Sequence, residues 1–293
     1  MVCPLNAGSL AVLYPEIREP YRKVFLNILD GIEGSHQDDV VPLELKKDAS
    51  PEKLGDWLKQ KNITGAIALG KRSLNTILKL PDKPVTVIGA VLIQPEEAEL
   101  SCISLVPSPE TIIANIATFL PKIKRVIVVY QASDHWLIES AEQAAARLPL
   151  TLSTYLTTDV SDMALKYREI LNSMHSTDDA LWIAPGSKSL DKPLLQIILE
   201  AAWKNKLAVF SSSLIDVKRG TLFSFYANHQ KMGAELVSFW QRETSKLQTS
   251  PLVLPTKSVE VAINLRTADH LYLHYSKKER QQFGLMYPTP IDK

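Results

Sequence analysis

Cysteine, excess charge and long apolar runs are all scarce in this chain, and each shortage excludes a class of protein. The 293 residues include two cysteines, Cys3 and Cys102, and no Cys/His spacing typical of a zinc site. These two thiols either stay free or form one bond, and neither case makes a disulfide scaffold. With 45% hydrophobic residues, a chain of this length buries a core that is stable without disulfide cross-links.

The charge balance argues against nucleic acid and anionic membranes as partners. Lys and Arg number 33 and Asp and Glu number 32, so no basic excess is available to neutralise phosphates. No apolar run reaches the length that spans a bilayer.

Motifs of catalysis and metal binding are also missing from the sequence. His270 and His274 have helical i, i+4 spacing, but the HLYLH sequence lacks the glutamate of a zinc-protease motif. No GxSxG turn and no paired-carboxylate motif stands out. We therefore expect no enzyme activity, no metal and no cofactor.

The first eight residues, MVCPLNAG, are interpreted as the end of a signal peptide or as a short cytosolic leader. Leu5-Asn6-Ala7 is acceptable before a signal-peptidase cut, yet no basic region and no long apolar segment precede Ser9. We expect a periplasmic protein whose signal peptide is truncated in this chain, with a cytoplasmic location left open. A lipid-modified Cys3 is a third interpretation.

Short apolar runs alternate with helical patterns along most of the chain, which predicts parallel sheets built from βαβ units. The predicted strands are Leu10–Leu13, Val40–Leu45, Ala66–Leu69, Val85–Val91, Cys102–Leu105, Val126–Tyr130, Thr151–Tyr155, Ala180–Ala184, Leu207–Phe210, one ending at Tyr226, and Ser258–Leu265. The predicted helices include Pro20–Glu33, one opening at Ser50-Pro51, one after Gly70, Pro109–Phe119, Trp136–Arg147, Val160–Asn172 and Gln230–Thr244. The pattern gives two similar halves, and the second half begins near Val106.

The stretch from Asp179 to Gly233 carries the clearest resemblance to known proteins. An apolar strand ends in Pro185-Gly186-Ser187, an amphipathic helix follows, and a second strand ends in three serines. Two further segments add to this resemblance, Leu120–Val126 and the tail Val261–Ala268. This order and spacing resemble the substrate-binding proteins of ABC transporters, in the family that includes tryptophan- and phenylalanine-binding members.

The resemblance implies an α/β fold of two Rossmann-like lobes with parallel sheets, the type I periplasmic-binding-protein architecture, and a hinge between the lobes. In that family the chain crosses between lobes three times, and we expect the crossings near Leu105, Ala227 and Ala262. The first lobe would then hold residues 9–105 and 228–262, and the second would hold residues 106–227 and 263–293. We also expect helix Gln230–Thr244 to pack on the first lobe.

Departures from the resembled family fall where ligand contacts are expected. Relatives usually carry an Asp-Pro step after the fourth strand, and here Ala90-Val91-Leu92-Ile93 stands instead. They usually carry an Asp-Asn-Thr step where this chain has Pro185-Gly186-Ser187. An amino-acid ammonium group needs an acceptor, so we expect weak or no binding of tryptophan and phenylalanine.

Candidate ligand contacts share one position, because they lie at or just beyond the carboxyl ends of predicted strands, where α/β sheets bind ligands. They are Tyr14, Arg18, Gly70, Ser73, Gln131, Ser133, Trp136, Gly186, Ser187, Ser211, Ser212 and Tyr226.

Each candidate has a plainer structural alternative. Arg18 pairs with a ligand carboxylate or with a neighbouring glutamate. Backbone N–H groups after Gly70, together with Ser73, hold an anion or only start a helix. Trp136 stacks on a planar ligand or is the first buried residue of its helix. Ser211 and Ser212 bond a polar ligand or cap the next segment.

The resemblance implies the periplasmic solute-binding component of an ABC importer, which takes a small polar or aromatic solute in the cleft between its lobes. Its partner would be the membrane permease, and a monomer is expected. Two alternatives stay open: a sensory ligand-binding subunit for a membrane receptor, and an interaction module whose site has degenerated.

Overall fold

The computed structural model describes residues 9–185, 190, 192–245 and 250–289. The strands, in chain order, are β1 (Ser9–Pro15), β2 (Val40–Leu45), β3 (Ile63–Leu69), β4 (Val85–Val91), β5 (Cys102–Pro107), β6 (Arg125–Gln131), β7 (Thr151–Thr157), β8 (Asp179–Ile183), β9 (Ala208–Ser211), β10 (Phe223–Ala227), β11 (Val253–Thr256), β12 (Val259–Asn264) and β13 (Leu285–Tyr287). The helices are α1 (Tyr21–Glu33), α2 (Pro51–Gln60), α3 (Gly70–Leu78), α4 (Pro109–Phe119), α5 (His135–Ala145), α6 (Val160–Ser173), α7 (Lys192–Asn205), α8 (Leu214–Arg219), α9 (His229–Thr244), α10 (Leu265–His270) and α11 (Lys277–Arg280).

The chain divides into two compact units. Among the described residues, the first unit holds 9–105 and 227–258, and the second holds 106–226 and 259–289. Each unit has its own sheet, which confirms the predicted pair of separate, mostly parallel sheets.

The sheet of the first unit has six strands in the order β11-β5-β4-β3-β1-β2. The pairs β1–β2, β1–β3, β3–β4 and β4–β5 are parallel. The runs Leu10–Leu13 and Ala66–Leu69 are almost completely buried, as expected for central parallel strands that are covered on both faces. These apolar runs place the carboxyl ends of β1 and β3 side by side.

Helix α9 packs on the first unit, as the sequence predicted. Its apolar face joins α1 and the strands in one core cluster that includes Met232, Leu236 and Phe239. Two glycines allow the close approach of the helices, because a Cβ on Gly31 would overlap the Gln230 carbonyl and one on Gly233 would overlap the Ile28 carbonyl.

The sheet of the second unit has seven strands in the order β13-β12-β10-β9-β8-β6-β7. Parallel pairing joins β7 to β6, β6 to β8, β8 to β9, β9 to β10 and β12 to β13. Its core is rich in aromatic rings, among them Trp182, Phe210, Phe223 and Phe225, all fully buried.

The predicted third crossing near Ala262 is misplaced. Strand β12 pairs with β13 in the second sheet, so residues 259–262 belong to the second unit rather than to the first. The sequence pattern could not separate β11 from β12, because only Lys257 and Ser258 lie between them.

The helices of the described chain are all too short or too polar to span a bilayer.

Candidate functional site

Helix starts in the first unit fall into two groups. Helices α2 and α9 are capped by side chains, since Ser50 Oγ accepts the Lys53 N–H at 3.3 Å and Asn228 Oδ1 accepts the Lys231 N–H at 2.9 Å. Helices α1 and α3 follow the central strands β1 and β3, and no side chain among the described residues caps them. The first N–H groups of such a helix suit an anionic ligand group.

Ser73 adds a second unused donor beside the α3 N-terminus. Its side chain is completely buried, and its Oγ has no hydrogen-bond partner in the part of the chain that the structure describes. A buried hydroxyl without a partner costs about 1–3 kcal/mol, and buried polar groups are rarely left so. Ser73 therefore keeps an unmet hydrogen-bonding capacity in the first turns of α3.

The backbone at the carboxyl edge of the first sheet adopts left-handed conformations. Gly70 has φ +80°, and a Cβ there would lie 3.1 Å from the Phe25 ring, so glycine is required. Ala90, at the end of β4, has φ +57°, and the β4–β5 register shifts between Gly89 and Val91. Strain of this kind at non-glycine residues is concentrated at functional sites.

Tyr14 and Arg18 lie at the end of β1 and in the loop after it. Tyr14 is partly buried, and burial, together with the nearby Glu44 carboxylate, raises its pKa. Arg18 is exposed. The neighbouring ends of β1 and β2 are joined by Arg72, whose guanidinium donates to the Glu16 carbonyl at 2.9 Å and the Leu45 carbonyl at 3.3 Å. Sequence analysis did not identify Arg72, although it lies between the candidate residues Gly70 and Ser73.

In the second unit, Ser211 was predicted to contact the ligand, but its hydroxyl is used in hydrogen bonds within the protein. Its hydroxyl donates to Asp216 Oδ2 at 2.6 Å and accepts the Ser213 N–H at 3.1 Å. Asp216, which is buried, also accepts Arg219 Nη1 at 2.9 Å. The chain from Ser211 through Asp216 to Arg219, called here the serine–aspartate network, holds α8 against the end of β9.

Two further predicted contacts in the second unit bond to neighbouring side chains. Ser212 Oγ accepts the indole N–H of Trp182 at 3.1 Å. The Tyr226 hydroxyl donates to Glu260 Oε2 at 2.8 Å. The pKa of Tyr226 is raised, mainly by burial and to a smaller extent by the Glu260 carboxylate. Both hydroxyls therefore serve the fold of the unit.

The end of β6 keeps three predicted residues near one another along the chain. Gln131 is the last residue of β6, Ser133 is exposed in the turn after it, and Trp136 lies in the first turn of α5. Trp136 is half-buried, so part of its ring is accessible and part packs in its own unit. Gly186 and Ser187, also predicted as ligand contacts, lie outside the described residues.

Among the described residues, no group of three or more His, Cys, Asp or Glu side chains is arranged to hold a metal ion. Cys102 is a free, buried thiol, and burial raises its pKa to about 12. It is therefore a protonated core residue at neutral pH.

The sequence from residue 86 to residue 278 matches the family described as ABC transporter substrate binding protein. The chain belongs to this family. The match covers most of the second unit and residues 86–105 and 227–258 of the first, and it confirms the resemblance on which the fold was predicted. Members of the family bind substrates rather than convert them. No curated protein sequence matches the chain.

Solved structures agree with this assignment at the level of the fold. A ligand-free, open structure of a substrate-binding protein with adhesive properties from Clostridium difficile has 12% identity and a TM-score of 0.62, over 97% of this chain and 100% of that one. An ABC domain from Streptococcus pneumonia in complex with L-Trp has 15% identity and a TM-score of 0.53, over 95% and 99%. The predicted two-lobed α/β fold of the type I binding proteins is thereby confirmed.

Proposed function

We propose that this protein is the solute-binding component of an ABC importer, and that the carboxyl edge of its first sheet binds an anionic group of a small polar or aromatic solute. The family assignment supports capture of a substrate. Delivery to a membrane permease, a location in the periplasm and a monomeric state are parts of the same proposal.

The observation that carries the proposal is the unused hydrogen-bonding capacity beside α3. The uncapped α3 N-terminus offers backbone N–H groups, and the buried Ser73 hydroxyl lies one turn into the same helix. A carboxylate would satisfy both, because charge-assisted hydrogen bonds are strongest where water is excluded. Arg18 adds an exposed positive charge in the loop after β1.

The similar structure from Streptococcus pneumonia contains L-Trp, but the aromatic amino acids are not the solutes we expect here. The ammonium group of an amino acid needs a buried acceptor, and Ala90-Val91 stands where relatives carry Asp-Pro. We therefore favour a solute with a carboxylate and no ammonium group, such as an organic acid.

A degenerate site that serves as an interaction module is a second candidate. It is favoured by the second unit, where Ser211, Ser212 and Tyr226 all bond to side chains of their own unit. A sensory subunit would use the same solute contacts and differ only in its membrane partner.

A thermal-shift screen of organic acids, amino acids, purines and sugars tests the proposal. The protein should first be unfolded and refolded so that any solute carried through purification is removed. A solute at 100 times its dissociation constant should stabilise the fold by about 2.7 kcal/mol. Stabilisation by an organic acid supports solute capture, whereas no stabilisation by any class contradicts it and favours the interaction module. Pull-down of a permease rather than a receptor separates transport from sensing.

A further inference from the structure

A cavity lies in the second unit, at the opposite edge of the sheet from the predicted ligand contacts of that unit. Its volume is about 450 Å³, within the range of small-molecule sites. It is lined by residues that precede β6, β8 and β9, including Pro121, Thr177 and Lys206, and by the segment after α10. The seven residues of β6 separate it from Gln131 by roughly 20 Å.

Two helix ends form one side of this cavity. Lys206 (φ +53°) follows α7 and Tyr272 (φ +58°) follows α10. Each is the left-handed residue of a helix C-terminal turn, since the Leu207 N–H donates to the Ala202 carbonyl and the Leu273 N–H donates to the Ala268 carbonyl. They meet across the cavity wall: Lys206 Nζ donates to the Tyr272 hydroxyl at 3.0 Å and lies 4.5 Å from the centre of its ring. The ammonium lowers the pKa of Tyr272. The pair therefore places a positive charge beside an aromatic ring at the edge of the cavity.

The wall that carries Tyr272 is fixed by hydrogen bonds. The Leu273 N–H donates to the Ala268 carbonyl at 2.9 Å, and the Tyr275 hydroxyl donates to the Phe119 carbonyl at 3.2 Å. Arg280 Nε donates to the Tyr275 carbonyl at 3.0 Å. The cavity is therefore preformed, and a ligand would lose little affinity to ordering of the wall.

The lining of the cavity fits a small anion whose body is apolar. Apolar groups such as Phe119, Leu271 and Leu273 supply most of the surface, and Lys122 and Lys206 supply positive charge. The carboxylate of Glu279 also borders the cavity, but it accepts the Ser276 N–H at 2.7 Å within a capping box. Its charge is thus directed at a helix start.

We propose that this cavity is a second ligand site of the protein, one that takes a small aromatic carboxylate with its ring against Tyr272 and its carboxylate on Lys206. An aromatic ring matches the flat phenol surface, and the ammonium supplies a charge-assisted bond. The site lies within one unit and is independent of the solute proposed above.

Titration calorimetry with 3-phenylpropionate tests the site, with 3-phenylpropanol as the matched ligand without a carboxylate. Amide shifts in NMR spectra locate the contact. We expect binding of the acid with shifts centred on Leu271–Tyr275, and about tenfold weaker binding of the alcohol. Lys206→Met should weaken binding of the acid by about tenfold. Lys204→Met, an exposed control in α7, should leave the binding unchanged.

Several results would overturn the proposal. Absence of binding at millimolar acid would do so, and so would shifts centred on Ser73 or Gln131 instead of Tyr272. Equal binding of acid and alcohol, or equal loss in both lysine variants, would remove the role of Lys206. Tyr272→Phe provides a second check, because it keeps the ring and should retain binding of the acid.

Discussion

The two sheets share a strand–helix topology but use the polar groups at their carboxyl edges in opposite ways. In the first unit, Ser73 is buried without a partner among the described residues, and α3 begins without a cap. In the second unit, the Ser211 hydroxyl is held by Asp216, and the Ser212 hydroxyl accepts a bond from Trp182. The first edge therefore has capacity to bind a ligand, and the second edge has used much of its capacity for stability.

The largest expected effect is on the serine–aspartate network of the second unit. Asp216→Ala removes the acceptor of both Ser211 and Arg219 and leaves a buried hydroxyl without its partner. We expect a loss of about 3 kcal/mol in the free energy of unfolding, measured by urea denaturation. The exposed Asp269→Ala is the control and should change stability by less than about 0.5 kcal/mol. Equal stability of the two variants would show that the network is not structural.

A second prediction concerns the loss of folding stability at low pH. We expect Asp179, in the second unit, to contribute most to this loss. The Asp179 side chain accepts Arg125 Nε at 2.9 Å, Arg125 Nη2 at 2.6 Å and the His175 N–H at 2.7 Å. Burial opposes ionisation of Asp179, but the bonds from Arg125 and His175 outweigh it and lower the pKa. The carboxylate therefore stabilises the fold fully above its usual pKa of about 3.9, and this contribution is lost as the pH falls through the lower folded value.

Urea denaturation between pH 7 and pH 2.5 measures this effect. Asp179→Asn should cost about 1–2 kcal/mol at pH 7 and should lose stability less steeply than the parent below pH 4. Parallel pH profiles of the two proteins would contradict the assignment.

A smaller effect on stability is expected at Trp136. A variant at this residue tests most directly whether the carboxyl edge of the second sheet also contacts the solute. Trp136 is half-buried, so Trp136→Phe should change stability by less than about 1 kcal/mol. If the ring contacts the solute, the variant should lose most of the solute-induced change in tryptophan fluorescence. An unchanged signal would assign the change to Trp57, Trp182, Trp203 or Trp240 and would limit the solute to the first edge.

Much of the fold follows from local pattern, and the exceptions have physical causes. The apolar run Val85–Val91 and the helix Pro109–Phe119 have their predicted bounds, because β-branched runs and Pro-led helix starts are strong local signals. Strand β13 has only three residues and α8 only six, too few to show a period. Both were missed for that reason.

The positions of the candidate residues at strand ends were predictable, but the hydrogen bonds of their side chains were not. Residues after β1, β3 and β6 lie at the carboxyl edges, as the strand pattern indicated. The sequence could not reveal that Ser211 bonds to Asp216 while Ser73 has no partner among the described residues, because both serines lie at or after the end of an apolar strand. Hydrogen-bond partners depend on the three-dimensional packing of each turn, as with Arg72 on the ends of β1 and β2.

One pair of variants tests the contrast between the two edges most directly. Ser73→Ala and Ser211→Ala should each be measured by urea denaturation and by calorimetry with the tightest solute from the screen. Ser73→Ala removes a buried hydroxyl whose unmet hydrogen bond costs about 1–3 kcal/mol, so the free protein should be at least as stable as the parent, while solute affinity falls about tenfold. Ser211→Ala should lose about 1–2 kcal/mol of stability and keep its affinity. A destabilised Ser73→Ala that still binds the solute as tightly as the parent, beside an unaltered Ser211→Ala, would contradict the account.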